Sequence, residues 1–547
     1  MTLLRGRWLA VLLAPIAIVA DGPAFAAGGA LPHGIHLARN GRYVQDVCDR
    51  DAARHCYSSR LLPEGFVPHA TPLDTGFCSI QQIAPAQTKP YAGTMGPVEI
   101  QTAYAIPATT GAHGKIVAVV DMPDATAFTD LTAYRAQYGL PTLPQCTTNG
   151  GLPDGKIPCF AALDQTGAPF TATAISDCKA ADPETGLDIE MISAACPDCS
   201  ILLVQMTAAS KINGPTDQDF LDCTRAAALH GAEATSISFG GAEEISGPDP
   251  IGYTKPGHLV VAASGDQGYL LEGVQGGGTS PSYPASAPDV LGVGGTLLQQ
   301  MGAGSFNEVV WNDDPNAPEA AGSGCSIEFA RPAYQTAFGA TKFGPSCTRR
   351  ASSDVSAAAS YLPSATGSGG ISEYDAINTW VPVEGTSASA PIVAALLVRL
   401  GVALAVSNDL GFLYTNAAAF NDVTSGTDGI GAQTLCPTGD VICNAAAGWD
   451  GPTGLGTPNG PRLAALGTDN AANPVTDDAG SGAGDDAGAL DDGGPVTILA
   501  DAGGNGFGST ASAGCSCNAP GSSAPLESTG ALVALGALAI VGARRRR

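Results

Sequence analysis

Residues 115–121 read Lys-Ile-Val-Ala-Val-Val-Asp, a continuous apolar run that ends in a carboxylate. A run without polar alternation predicts a strand buried on both faces, as in a parallel sheet covered by helices. Three similar runs follow at residues 200–205, 233–239 and 259–264. Helix-like segments lie before and between these runs, so the sequence predicts an α/β fold with a parallel β-sheet flanked by helices. The helix-like segments are residues 96–104, 130–138, 187–195 and 218–229.

A second stretch, residues 385–391, reads Gly-Thr-Ser-Ala-Ser-Ala-Pro and runs into the apolar residues 392–398. The proline and the apolar run predict a buried helix. Ser387 would then lie at the helix entrance, where its backbone N–H and the positive end of the helix face a developing oxyanion. This position suits a nucleophilic serine, although such a string taken alone is more often a turn followed by a helix N-cap.

A nucleophilic serine needs a base that accepts its proton. Among the seven histidines only His230, followed by Gly231 and Ala232, resembles a catalytic histidine turn, and it comes at the end of a helix-like segment that favours a cation anyway. The carboxylates of Glu184 and Asp188 are better candidates because their i, i+4 spacing places them on one face of a helix. Two neighbouring carboxylates share one proton and can act as a base in mildly acidic water. The plain alternative is a solvated helix face.

Asp266 follows the apolar run at residues 259–264, with glycines at positions 265 and 268. A carboxylic acid that its surroundings keep protonated can donate a hydrogen bond to an oxyanion. Asp266 is therefore a candidate for that role, and a turn-forming aspartate is the alternative.

These pieces together resemble the sedolisins, or serine-carboxyl peptidases, which share the subtilisin-like fold. The resemblance covers about residues 96–467 and is carried by the strings ETGLDIE, ASGDQG and GTSASAP, in that order. It implies that Glu184 is the general base, Asp188 its hydrogen-bonded partner, Asp266 the oxyanion acid and Ser387 the nucleophile. Because a carboxylate replaces histidine as the base, the sequence predicts activity at acidic pH.

The resemblance also implies one structural calcium ion near the C-terminal end of the domain. Residues 421–426 and 446–454 match the two calcium loops of the family. Calcium prefers six or more oxygen ligands from carboxylates, backbone carbonyls and water. Without the resemblance, both segments would be interpreted as ordinary Gly/Asp turns. The implied ligands are the side chains of Asp422 and Asp450 and the carbonyls of Val423, Ala446 and Gly448.

The first 27 residues have the features of a secretory signal peptide. Arg5 and Arg7 precede an apolar stretch at residues 8–20, and Ala-Phe-Ala at residues 24–26 supplies a small-residue cleavage site. Residues 28–95 follow with little periodicity and are interpreted as an N-terminal extension or a short prosegment. The predicted peptidase domain is then residues 96–468.

Fifteen cysteines in an exported chain predict disulfides rather than metal sites or reactive thiols. Cys196 and Cys199 have the CxxC spacing of redox proteins, but a local disulfide is the preferred interpretation because no thioredoxin-like context surrounds them. Close spacing suggests four further pairs: Cys48 with Cys56, Cys146 with Cys159, Cys325 with Cys347, and Cys436 with Cys443.

The chain changes character after residue 468. Residues 469–513 are rich in Ala, Gly and Asp, which predicts an extended, solvated linker. Residues 514–547 combine Gly-Cys-Ser-Cys, an apolar run and four terminal arginines, and they resemble the myxobacterial C-terminal sorting signal, MYXO-CTERM. That resemblance implies Cys515 or Cys517 as an anchoring point and attachment to the membrane at the cell surface.

The charge balance excludes some partners. With 25 basic and 51 acidic residues the formal net charge is −26, which argues against nucleic acid and anionic lipid surfaces. The sequence thus predicts a secreted or surface-anchored, monomeric serine endopeptidase that acts on protein or peptide substrates. Two alternatives stay open: a subtilisin-type peptidase with His230 as its base, and a non-catalytic surface binding module.

Overall fold

A computed structural model describes most of the chain between residues 34 and 472. All of these residues belong to the first of two units, Met1–Thr476. The predicted signal peptide, nearly all of the linker and the sorting tail with Cys515 and Cys517 lie outside the described residues. The described ranges are 34–37, 42–48, 53–62, 86–108, 112–171, 182–207, 210, 214–243, 253, 256–270, 280–314, 319–376, 378–429 and 436–472.

The described residues form strands and helices that alternate along the first half of the domain. In chain order the strands are β1 (Ile35–Leu37), β2 (Tyr43–Asp46), β3 (His55–Cys56), β4 (Ser59–Leu61), β5 (Ile116–Asp121), β6 (Phe160–Asp164), β7 (Ser200–Gln205), β8 (Ala234–Ile237), β9 (Phe239–Ala242), β10 (Leu259–Ala263), β11 (Gln267–Tyr269), β12 (Ser282–Tyr283), β13 (Leu291–Gly302), β14 (Ser305–Val310), β15 (Asn312–Asp314), β16 (Glu319–Ala330), β17 (Arg349–Ser352), β18 (Val355–Leu362), β19 (Ile371–Asp375), β20 (Thr379–Glu384), β21 (Phe420–Asn421) and β22 (Thr457–Pro458). The α-helices are α1 (Pro97–Ala103), α2 (Ala127–Gln137), α3 (Pro183–Ala195), α4 (Asp217–Leu229), α5 (Ala333–Gly339), α6 (Thr386–Arg399), α7 (Ala403–Asn408), α8 (Gly411–Thr415) and α9 (Gly460–Ala472).

An eight-stranded sheet forms the centre of the domain. Its order is β14-β13-β10-β8-β5-β7-β6, and β18 also pairs with β13. Every pairing is parallel except that of β13 with β14. The apolar runs of the sequence supply the central strands, and β5, β7, β8 and β10 are buried along their whole length. The predicted α/β fold with a parallel sheet is confirmed.

Helices cover both faces of this sheet. On one face α6 packs against α3 and against the strands β8, β10, β13 and β18. On the other face α4 packs against β5, β7 and β8. Every residue of α3 and α6 is buried, because each helix lies between the sheet and further elements. The helices α3 and α6 begin near the carboxyl ends of the parallel strands. Ligand and catalytic sites of α/β folds usually lie at that end of the sheet.

The segment before residue 62 joins the domain through its backbone. Strands β1, β2 and β4 form a five-stranded sheet with β20 and β19, in the order β1-β2-β4-β20-β19. Strand β3 instead pairs with β9. Strands β3 and β4 lie only two residues apart in the chain, so the segment from His55 to Leu61 passes from one sheet to the other.

Five disulfides join described residues, and they include the four pairs suggested by close spacing as well as the local Cys196–Cys199 bond. Cys223 is buried and reduced. No helix among the described residues is both long enough and apolar enough to cross a bilayer. The five disulfides are Cys48–Cys56, Cys146–Cys159, Cys196–Cys199, Cys325–Cys347 and Cys436–Cys443.

Candidate active site

Ser387 lies in the first turn of α6, directly after the strand β20. The helix begins at Thr386, and Gly385 precedes it with a φ of 137°, which favours glycine. At this helix start the N–H of Ser387 has no partner within the helix, and it donates to the carbonyl oxygen of Tyr57 at 3.0 Å. The Ser387 hydroxyl accepts a hydrogen bond from the Tyr57 N–H at 3.0 Å. The nucleophile candidate thus faces a peptide group of its own chain.

Pro391 lies inside α6 rather than at its start. A proline there removes the N–H that would bond to the carbonyl four residues earlier, which is that of Ser387. The Ser238 hydroxyl lies 3.2 Å from this carbonyl. The same hydroxyl lies 2.9 and 2.7 Å from the two carboxylate oxygens of Asp188. Ser238 therefore connects the acid pair to the serine, a role that the sequence did not reveal.

Glu184 and Asp188 lie on α3, whose first turn carries Glu184. Asp182 caps this helix by accepting a hydrogen bond from the Glu184 N–H at 3.2 Å. Burial raises the pKa of Glu184 well above its usual value, and the neighbouring Asp188 raises it further. The hydroxyls of Ser387 and Ser58 offset part of that rise by hydrogen bonding. Burial also raises the pKa of Asp188. The two carboxyl groups thus interact electrostatically, and Glu184 lies beside Ser387.

Asp266 follows β10 and faces the start of α6. Its Oδ1 accepts hydrogen bonds from the backbone N–H and the hydroxyl of Thr386, both at 2.8 Å. A Cβ atom added at Gly385 would lie 2.1 Å from the Tyr57 carbonyl oxygen and 2.6 Å from Asp266 Oδ2. Gly385 is therefore the point where the peptide carbonyl and the Asp266 carboxyl approach each other, and a larger residue would not fit between them.

The residues around Tyr57 pass through this site as an extended strand. On one side β3 pairs antiparallel with β9, and the Tyr57 N–H donates to the Ser238 carbonyl at 3.1 Å. On the other side Ser59 and Arg60 pair antiparallel with Glu384 and Val383 of β20. The peptide bond between Tyr57 and Ser58 therefore lies at Ser387, with chain bound on both sides of it. The sequence carried no signal for this placement.

The side chain of Tyr57 fills a buried pocket. Its hydroxyl lies 2.5 Å from the Ser282 hydroxyl, and its ring meets the His55 ring edge-on at a centroid distance of 5.1 Å. A Cβ atom at Gly240 would lie 2.6 Å from the Tyr57 hydroxyl, so the glycine makes room for the aromatic side chain. This pocket accepts a large planar group next to the peptide carbonyl at Ser387.

Comparisons with known proteins show which families this chain resembles. The sequence profile of the subtilase family matches residues 173–406. Kumamolisin from Bacillus sp. is 29% identical over 387 residues, which are 67% of this chain and 62% of kumamolisin. Sedolisin from Pseudomonas sp. is 34% identical over 226 residues, 38% of this chain and 35% of that protein. Human tripeptidyl-peptidase 1 is 33% identical over 226 residues, 38% of this chain and 37% of that protein.

This chain therefore contains a sedolisin-like domain, a region similar in sequence to subtilases and to sedolisins. It spans less than two thirds of the length of these curated relatives. Among solved structures, Pseudomonas sedolisin complexed with two molecules of pseudo-iodotyrostatin superposes with a TM-score of 0.53 at 23% identity, covering 70% of this chain and 99% of that one. This likeness shows that the sedolisin-like domain has the subtilisin-like fold.

Sequence reasoning missed several buried carboxylates of the sedolisin-like domain. Asp121 ends β5, and burial raises its pKa well above the usual value, with Asp188 as the next contributor. Asp124 accepts a hydrogen bond from the Asp182 N–H at 3.1 Å, and burial raises its pKa to about 7. The end of an apolar strand in a parallel sheet was the available signal for Asp121, because such ends converge on one edge.

His230 lies away from this site. It caps the C-terminus of α4, and its Nε2 lies 3.2 Å from the carbonyl oxygen of Gly167. His230 precedes β8 and Ser238 follows it, so the strand separates the two residues by about 13 Å, at a rise of about 3.3 Å per residue. The position of His230 gives the histidine-based alternative no support.

The two predicted calcium loops lie side by side in the sedolisin-like domain. The Gly448 N–H donates to Asp422 at 2.9 Å, and the Ala446 N–H donates to Asp450 at 3.1 Å. Burial raises the pKa of Asp450 to about 7. Across the described residues no cluster of three or more His, Cys, Asp or Glu side chains could hold a metal, so an ion here would rely on two carboxylates and on backbone carbonyls such as that of Val423. Such an oxygen set fits the chemistry of calcium.

Proposed function

We propose that this chain is a serine-carboxyl endopeptidase that hydrolyses peptide bonds in proteins or peptides at acidic pH. The observation that carries the proposal is the placement of the Tyr57–Ser58 peptide group, whose carbonyl oxygen accepts from the Ser387 N–H at 3.0 Å beside the acid pair. A peptide carbonyl oxygen held by this N–H lies where the oxyanion would develop when a serine hydroxyl attacks.

The proposed reaction uses each of the four candidate residues in one role. Glu184 accepts the proton of Ser387 as its hydroxyl attacks the peptide carbonyl, and Asp188 stabilises the protonated Glu184 through their shared proton. The Ser387 N–H and a protonated Asp266 donate to the oxyanion of the tetrahedral intermediate. Glu184 then protonates the leaving amine, and water hydrolyses the acyl-enzyme by the same steps.

The length of the bound strand supports endopeptidase action. On the amino side of Tyr57 the chain stays in contact with the domain at least as far as Ala53. The Ala53 carbonyl oxygen lies so close to Gly241 that a Cβ atom there would be 2.1 Å from it. Arg54 also pairs with Asp217 at 2.7 Å. The cleft thus binds at least five residues before the Tyr57–Ser58 bond. A substrate therefore does not need a free amino terminus near the bond that is cleaved. We therefore assign cleavage within chains rather than removal of short N-terminal peptides.

The remaining parts of the proposal concern location and the ion. The enzyme is exported, is anchored at the cell surface through Cys515 or Cys517, and acts as a monomer. One structural calcium ion would be held by Asp422, Asp450 and the carbonyls of Val423, Ala446 and Gly448, where it would tie the two loops together without taking part in catalysis. A chelator should then lower the melting temperature, and added calcium should restore it.

The test is the pH profile of peptide hydrolysis from about pH 3 to about pH 9, for the full chain beside its Ser387→Ala variant. We expect an acidic optimum that the variant lacks. An optimum at neutral or alkaline pH would contradict the carboxylate base. Binding of peptides without hydrolysis at any pH would favour the non-catalytic binding module.

A further inference from the structure

Arg60, three residues after Tyr57, enters a buried acidic pocket on the leaving-group side of the site. It pairs with Val383 of β20 through the backbone, and its Nη2 lies 2.8 Å from Asp375 Oδ2 at the end of β19. Both side chains are buried, with relative exposures of 3% and 1%. The guanidinium is therefore desolvated and paired with a protein carboxylate. Such a buried pair is stable only when charge and geometry match closely.

Four carboxylates from three elements surround this pocket. Asp375 and Glu373 lie on β19, Glu190 on α3 and Asp130 on α2. Glu190 accepts a hydrogen bond from the Tyr374 N–H at 3.1 Å, and Asp130 accepts one from the Ala376 N–H at 3.3 Å. These two bonds hold the pocket wall to β19.

Glu373 is the carboxyl group of the pocket that has a cation nearby but no hydrogen-bond donor. Its side chain is fully buried, and neither of its carboxylate oxygens has a hydrogen-bond partner among the described residues. Burial raises the pKa of Glu373 well above its usual value, and the positive charge of Arg60 offsets part of that rise. A buried carboxylate without a donor is costly, and a neighbouring guanidinium is the group that reduces this cost.

The cation belongs to the strand in the cleft and not to the wall of the pocket. Arg60 is covalently part of residues 55–61, the segment that lies along Ser387 in the position of a peptide substrate. When a substrate takes the place of this segment, its third residue after the cleaved bond lies where Arg60 does now.

We propose that the pocket formed by Asp375, Glu373, Glu190 and Asp130 is a subsite that selects an arginine or lysine side chain at the third position after the cleaved bond. The subsite rests on the proposed function, because a leaving-group side exists only if Ser387 cleaves. The substrate class is therefore peptides with a basic residue at that position.

Two synthetic peptides test the proposal. The first has the sequence of residues 53–61 with Cys56→Ala, and the second has Arg60→Gln in addition. Their kcat/KM values are measured at the acidic optimum with the full chain and with its Asp375→Asn, Glu373→Gln and Asp222→Asn variants. Asp222 is the matched control, because its ion pair with Arg225 is exposed and lies elsewhere. The mass of the chain is followed in the same reactions, to record when its own segment leaves the cleft.

We expect the wild-type chain to prefer the arginine peptide at least about tenfold, since a buried ion pair contributes strongly to substrate choice. Asp375→Asn should reduce this preference through slower cleavage of the arginine peptide, with the glutamine peptide little changed. Glu373→Gln should reduce it less, because burial raises the pKa of Glu373 and the guanidinium contacts Asp375 directly. Asp222→Asn should keep the preference. Equal kcat/KM for both peptides in the wild-type chain would overturn the subsite while leaving the proposed function intact. Cleavage of neither peptide would overturn both.

Discussion

At the scale of single residues, Asp266 shows how the backbone decides the role of a carboxyl group. Both donors of Thr386 go to one oxygen, Oδ1, and the other oxygen lies on the side of the Tyr57 carbonyl. The two oxygens thus have separate tasks. One positions the side chain against α6, and we assign the other to the oxyanion.

Replacing Asp266 with alanine should therefore lower kcat about 10²–10³-fold, the usual cost of losing one oxyanion donor. Asp266→Asn should recover most of the loss, because its amide oxygen can accept from Thr386 while its nitrogen donates to the oxyanion. Steady-state kinetics on one peptide measure both effects. His230→Ala serves as the control and should keep wild-type kcat. An Asp266→Ala variant with unchanged kcat would remove Asp266 from the mechanism.

At the scale of elements, one strand boundary and one helix boundary differ from the sequence prediction. The expected strand at residues 233–239 divides into β8 and β9, because Ser238 leaves the ladder to serve Asp188 and the Tyr57 N–H. The expected helix at residues 187–195 begins earlier, at Pro183, since Asp182 supplies the cap. Both differences occur next to the site. There, side chains and backbone groups form hydrogen bonds with residues outside their own strand or helix.

A buried ion pair joins β17 to the turn before β18. Arg350 Nη2 lies 2.6 Å from Asp354 Oδ2, and both side chains have no exposed surface. The Tyr414 hydroxyl donates to the same carboxylate at 2.6 Å, and the Gly292 N–H donates at 2.8 Å. The pair therefore ties two strands of the domain to α8.

Arg350→Met should lower the free energy of unfolding by about 3–5 kcal/mol, because it leaves the Asp354 charge buried without its guanidinium. The exposed Arg225–Asp222 pair offers the comparison, and Arg225→Ala should cost at most about 1 kcal/mol. Chemical denaturation of the Ser387→Ala background gives both values without self-digestion. Equal costs for the two variants would mean that burial of the Arg350 pair is unimportant.

At the scale of the whole molecule, buried carboxylates make stability depend on pH. Burial raises the pKa of Asp124 to about 7, that of Asp130 to about 6 and that of Asp450 to about 7. Burial also holds the pKa of Glu184 and of Glu373 well above their usual values. The folded chain therefore binds more protons than the unfolded chain between about pH 4 and about pH 7.

Because the folded state holds these protons more tightly, its stability should be greatest in mild acid and should fall as pH rises from about 4 to about 7. The formal charge of −26 adds self-repulsion in the same direction. Melting temperatures of the Ser387→Ala chain, measured across this range with a chelator throughout to exclude calcium effects, check the expectation. Glu373→Gln should flatten the dependence. A melting temperature that rises toward pH 7 would contradict it.

The sequence by itself determined the fold class and the identity of the four candidate catalytic residues. The fold class follows from a short-range pattern, because apolar runs make buried strands. The four residues were implied by the resemblance to sedolisins, to which the i, i+4 spacing of Glu184 and Asp188 contributes. The two predicted calcium loops likewise rest on the resemblance, and the ion itself remains a proposal. The cleavage chemistry assigned to these residues remains a proposal.

Only the tertiary structure decided what occupies the site and where the acidic pocket lies. Tyr57 and Ser387 are 330 residues apart, and Arg60 and Asp375 are 315 apart. The contacts that hold residues 55–61 in the cleft are mostly backbone hydrogen bonds, which any residue except proline can make, so they leave no pattern in the sequence. The carboxylates of the pocket come from three separate elements, and folding alone brings them together around one guanidinium.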